Sequence, residues 1–75
     1  MKIKDLLYRF NDIRKCNHDT IMIRTSNDKV HYLGNYWNMP DYYKNVQVLS
    51  FSVFDGLQFN ISIIIYVNEV HLNEK

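Results

Sequence analysis

From Val46 to Val67, apolar and polar residues alternate on both sides of a single Asp55-Gly56 break, the pattern of two strands joined as a β-hairpin. Leu49, Phe51 and Val53 fall on one face of the first arm. Leu57, Phe59, Ile61, Ile63, Ile65 and Val67 fall on one face of the second. A two-residue Asp55-Gly56 turn would set Val53 against Gln58 and Phe51 against Asn60, mixing apolar with polar positions. A three-residue Phe54-Asp55-Gly56 loop instead sets Val53 against Leu57, Phe51 against Phe59 and Leu49 against Ile61. It also puts Gly56 at the left-handed bulge position that such loops need. The expectation is the three-residue loop, with Gly56 at positive φ, Phe54 near the tip, and the two arms supplying most of the core.

Upstream the period changes. Ile3, Leu6, Leu7, Phe10 and Ile13 form one helical stripe, with Lys4, Asp5, Arg9, Asp12 and Lys15 largely off it. This spacing predicts a helix over about Ile3–Lys15, ended by Asn17-His18-Asp19 and packed by its apolar face on a sheet. Thr20–Thr25 alternates and is rich in β-branched residues, Ser26–Lys29 is a turn, and Val30–Tyr36 returns as a second strand. Pairing Ile23 with Tyr32 and Thr25 with Val30 places Ile21, Ile23, Val30 and Tyr32 on one face. Trp37–Asn45 breaks the alternation; Pro40 suits the start of a short helical turn that Asn45 ends. After Val67 the chain is polar and is expected to fray. The predicted class is α+β: an N-terminal helix packed on a four-stranded, mainly antiparallel sheet, in the order α-β-β-short helix-β-β.

A length of 75 residues fits one small domain over residues 1–75. A chain of this size buries only about 60% of its unfolded surface. One cysteine, Cys16, allows no intramolecular disulfide, so stability must come from an apolar core or a partner surface. Hydrophobic and aromatic fractions of 47% and 15% suit both, and a homodimer or a protein partner is expected. The net charge of +1, with basic residues scattered among acids, supports neither a basic duplex-binding stripe nor an acidic DNA mimic. Charges at Lys2, Lys4, Asp5 and Arg9 argue against a signal peptide. No run approaches the ~20 apolar residues of a membrane span, and the free thiol suits a reducing cytosol. Abundant Asn, Ile, Lys and Tyr without any Ala point to an AT-rich coding sequence from a low-GC genome.

Candidate chemistry is sparse. Gly34 and Gly56 are the only glycines, too few for a phosphate-cradling loop or a dinucleotide fingerprint. Cys16-Asn17-His18-Asp19, even with Glu69 and His71, matches no zinc spacing, so no metal or cofactor is expected. A Cys16–His18 pair lacks an orienting third group, and Asp12 with Asp19 has no supporting feature. No catalytic residue is assigned, and the chain reads as a non-enzyme. What remains is aromatic surface. Tyr36, Trp37, Tyr42 and Tyr43 crowd the crossover, and Tyr and Trp are preferred interface anchors. Because Tyr42 and Tyr43 are adjacent, at least one should be exposed. The same rings could stack nucleobases while Arg24, Lys29 or Lys44 touch phosphate, but the weak positive charge disfavours nucleic acid. A second candidate dimer or partner face is the opposite side of the sheet, where Met22, Leu33, Val48, Ile64 and Tyr66 share a parity. The Leu57–Val67 strand edge is a third.

With these elements placed, the chain resembles a loose class of small phage and prophage proteins from Firmicutes. The likeness lies in the opening Met1-Lys2-Ile3-Lys4-Asp5-Leu6-Leu7, in a strand pair ending Gly34-Asn35-Tyr36, and in the Met39-Pro40-Asp41-Tyr42-Tyr43 crossover. The strands Val48-Leu49-Ser50-Phe51 and Ile63-Ile64-Ile65-Tyr66-Val67 complete it. Some proteins of this size and layout, anti-CRISPR proteins among them, inhibit host defence complexes. The resemblance therefore implies a non-catalytic inhibitor that acts in the host cytoplasm by occluding a host protein. The alternatives are a nucleotide or nucleic-acid binder that uses aromatic stacking, or a virion assembly protein.

Overall fold

The computed structural model describes residues 1–15, 20–54 and 61–68. The N-terminal stripe folds as two short helices, α1 (Ile3–Tyr8) and α2 (Asn11–Lys15), in place of the single helix its spacing predicts. At the break, the amides of Arg9 and Phe10 donate to carbonyls three residues back, Leu6 and Leu7, at 3.1 and 3.0 Å. The Phe10 carbonyl then starts α2 by accepting from Ile13 and Arg14. The bend turns Phe10 toward Phe51, edge to face at 6.2 Å. Asp5 accepts from the Lys2 amide at the start of α1, satisfying one of the helix's orphan donors.

Four strands follow: β1 (Ile21–Thr25), β2 (Val30–Gly34), β3 (Val48–Val53) and β4 (Ile63–Val67), with the short helix α3 (Asp41–Lys44) between β2 and β3. Asn45 ends α3 at its C-cap as the crossover pattern predicts, whereas Pro40 stands one position earlier than expected, at the N-cap and not at the first helical position. The class is α+β. The sheet runs β2-β1-β4-β3, antiparallel within each hairpin and parallel where β1 meets β4. The second hairpin therefore inserts its later strand at the centre of the sheet. β4 has a neighbour on both sides, so the proposed Leu57–Val67 edge is not an edge along β4.

Register fixes which side chains share a face. One row across the core side is Gly34, Ile21, Ile63, Val53; the next is Tyr32, Ile23, Ile65, Phe51. The interleaved rows on the opposite side are Leu33, Met22, Ile64, Ser52 and Val30, Arg24, Tyr66, Ser50. Ile3, Leu6, Leu7, Ile21, Ile23, Ile63, Ile65 and Val67 are buried completely or nearly so, sealing α1 against β1 and β4.

Both hairpins depart from the expected pairing. In the first, Ile23 faces Tyr32 as predicted, but a bulge then sets Arg24, not Thr25, against Val30. The cause is the turn: Asp28 has φ 65°, its amide donates to Thr25 and the Thr25 amide donates to Lys29. This tight turn with a left-handed Asp28 sets Thr25 against Lys29 and so Arg24 against Val30, and His31 is the extra position in the returning strand that restores the Ile23–Tyr32 pairing. In the second hairpin Val53 faces Ile63 in place of Leu57, and Phe51 faces Ile65 in place of Phe59. From Ser50 to Val53 the slip is an even number of residues, so these side chains keep their predicted faces while the connection becomes far longer than three residues. Gly56 lies outside the described residues. Leu49, Phe51 and Val53, expected in the core, are 63%, 40% and 43% exposed, because β3 is the outermost strand and the helices cover mainly β1 and β4.

Candidate protein-binding surface

The crossover after β2 holds one large aromatic ring out in solvent between two buried anchors. Asn35 is buried, and its side-chain oxygen accepts from the Asn38 amide three residues on at 2.8 Å, which closes the loop. Its carbonyl accepts from the Tyr32 hydroxyl at 2.7 Å, tying the loop to β2. Met39 is buried in the core, and its amide donates to the Tyr36 carbonyl at 3.2 Å. Trp37 stands between these anchors and is 65% exposed. Tyr36 meets it edge to face at 6.0 Å, and the Lys44 ammonium lies 4.5 Å above the Tyr36 ring. Lys44 also approaches Asp41 at 3.5 Å.

Of the four anchors read from the sequence, Trp37 alone is fully presented. Tyr36, Tyr42 and Tyr43 are half-buried and pack against the core. The expectation that Tyr42 or Tyr43 is exposed is thus corrected. α3 lays the Tyr43 ring against β2, 5.7 Å from Tyr32, and Tyr42 meets Tyr43 at 5.4 Å. The Tyr43 hydroxyl donates to the His31 carbonyl at 3.2 Å. The Tyr42 hydroxyl is sealed from solvent with no hydrogen-bond partner among the described residues. Both tyrosines pack against the core.

On the opposite side of the sheet, Met22, Ile64 and Tyr66 are half-buried and Leu33 is exposed. Val48 does not belong with them. The bulge between Val48 and Ser50 reverses its parity, sets it against Val67 and packs it on the core side. This face carries a hollow of about 240 Å³ lined by Met22, Arg24, Phe54, Ile61 and Ile64. Arg24 at its rim is paired with Asp28 at 2.8 Å.

Sequence reasoning missed Asn35 and Met39 as the fixtures of the Trp37 loop. An Asn three residues before an amide it can cap, with an apolar residue just beyond, was the available signal. The Cys16-Asn17-His18-Asp19 group, Glu69 and His71 lie outside the described residues. Among the described residues no three His, Cys, Asp or Glu side chains group as a metal site would require, and no helix is long and apolar enough to cross a membrane. No family model, curated protein or solved structure matches this chain.

Proposed function

We propose that this chain is a non-catalytic protein-binding module that inserts Trp37 into an apolar pocket of its partner, with Tyr36 alongside. The observation carrying this reading is the presentation of Trp37. A large ring is exposed on a loop whose two ends are pinned by Asn35 and Met39. Trp is the residue most enriched among binding hot spots, and a loop already held in place loses little entropy on docking. Without such a use, an exposed indole beside a cation-capped tyrosine adds nothing to folding.

The partner class comes from the resemblance to small phage proteins: a host protein, and within that class a component of antiviral defence. Inhibition would be steric, since a domain of this size can block a surface without chemistry of its own. Nucleobase stacking on Trp37 and Tyr36 is the competing use of the same rings. Capture from a host lysate with the wild-type chain and with Trp37→Ala, each at low and moderate salt, separates the two. The module reading expects a protein retained by wild type and lost from Trp37→Ala at both salts. Recovery of nucleic acid whose yield falls steeply with salt would replace it.

A further inference from the structure

β3 carries a second, independent feature: an unprotected strand edge with defined ends. Phe54 donates to the Ser62 carbonyl at 2.8 Å, so in the antiparallel ladder the backbone groups of Ser52 and Ser50 also face β4. Those of Phe51 and Val53 therefore face outward, away from the sheet. The outer side of the preceding residues is already occupied. Lys2 bridges Gln47, the Val48 amide donates to Met1 at 2.7 Å and the Ile3 amide to Val46 at 3.0 Å. Among the described residues nothing pairs with the stretch Ser50–Phe54, centred on Ser52, which is the free edge.

Edge strands are ordinarily blunted by a charge, a proline or a bulge. The opposite edge strand, β2, has such devices in its bulge between Val30 and Tyr32 and in the charge of Lys29 just before it. From Val46 to Phe54 there is no charged residue and no proline, and the bulge lies before Ser50, outside the free stretch.

We infer that this edge pairs with the same edge of a second copy of this chain, antiparallel about a two-fold axis through Ser52. In that register Phe51 opposes Val53 of the other copy and each exchanges both backbone hydrogen bonds with it; Ser52 opposes Ser52. The pairing stops where the bulge and the Met1–Ile3 segment begin. Two uncharged edges meet without repulsion, and the half-exposed Phe51 and Val53 rings and methyls of both copies close over one another beside Phe10. The axis at Ser52 is what selects a second copy over an unrelated strand, because the free stretch is its own complement. The Trp37 loop follows the far edge strand β2, so each dimer keeps both loops open to partners.

Sedimentation equilibrium combined with cysteine crosslinking tests this, with Cys16→Ser as the background. The wild-type chain is expected to sediment as a dimer, and Val53→Lys as a monomer with unchanged circular dichroism. Ser52→Cys is expected to form an intermolecular disulfide under mild oxidation, and Ser50→Cys, which faces Phe54 of the other copy, is not. A wild-type chain that stays monomeric up to about 1 mM overturns the inference. So does a dimer that survives Val53→Lys, or one that crosslinks through Ser50 in preference to Ser52.

Discussion

The ring of Tyr32 lies across Gly34, so that a β-carbon at position 34 would stand 2.5 Å from the Tyr32 hydroxyl oxygen and 2.8 Å from the ring carbon bearing it. The two residues sit two apart on the core face of β2, and the missing side chain is what lets the hydroxyl reach the Asn35 carbonyl. Gly34→Ala should therefore push Tyr32 off Asn35 and Tyr43 and lower stability by about 1–3 kcal/mol, the usual cost of overpacking. In a Tyr32→Ala background the same substitution should cost little. A double-mutant cycle read by urea denaturation checks it, and additive effects would show that the ring and the glycine are not coupled.

Tyr42 and Tyr43 are neighbours with opposite hydroxyl fates. Tyr43 donates to the His31 carbonyl, whereas the Tyr42 hydroxyl is buried without a partner among the described residues. Removing a satisfied hydrogen bond costs about 1 kcal/mol, and removing an unsatisfied buried hydroxyl recovers a similar amount. Tyr43→Phe should lower the thermal midpoint and Tyr42→Phe should raise it. Shifts of the same sign would contradict this assignment.

Asp28 occupies the left-handed position of the first turn, where glycine carries no steric penalty. Its ion pair with Arg24 is exposed on the Asp28 side and contributes less than about 1 kcal/mol. Asp28→Gly should stabilise the chain by about 0.5 kcal/mol, while Asp28→Ala, which keeps the penalty and loses the pair, should destabilise it by about 1 kcal/mol. Chemical denaturation of the two variants side by side reads the difference in sign.

Ile23 and Ile65 lie in one row at the centre of the sheet and are fully buried. Truncating either to Ala should cost about 2–5 kcal/mol, enough to leave so small a chain near its unfolding limit. Trp37→Ala, by contrast, should leave stability within about 0.5 kcal/mol of wild type, as exposed positions do. Thermal unfolding of the three variants makes the comparison directly.

The alternation along Thr20–Gly34 and Val46–Val67 made strands, faces and fold class legible, because each period-2 pattern reports only which residues share a side. It could not report the order of strands, since β1 and β4 find each other across most of the chain. Nor could it separate pairings that differ by an even slip: Val53 is equally apolar opposite Leu57 or Ile63. The left-handed turn at Asp28 and the bulge after Val48 escaped for a related reason. A left-handed Asp without glycine gives little warning, and one bulge was enough to move Val48 from the open face to the core. The aromatic crossover was legible as surface chemistry, but not the division between Trp37, which is presented, and Tyr42 and Tyr43, which pack against the core. That division depends on how α3 lies over β2.

The most direct test of Trp37 as a protein-binding anchor is the affinity of the captured partner for wild type and for Trp37→Ala, measured by calorimetry alongside the thermal midpoint of each. A hot-spot residue contributes at least about 2 kcal/mol, close to a 30-fold change in Kd. The predicted result is a loss of that size or larger with the midpoint unchanged. Equal affinities for the two proteins, with both folded, would contradict it.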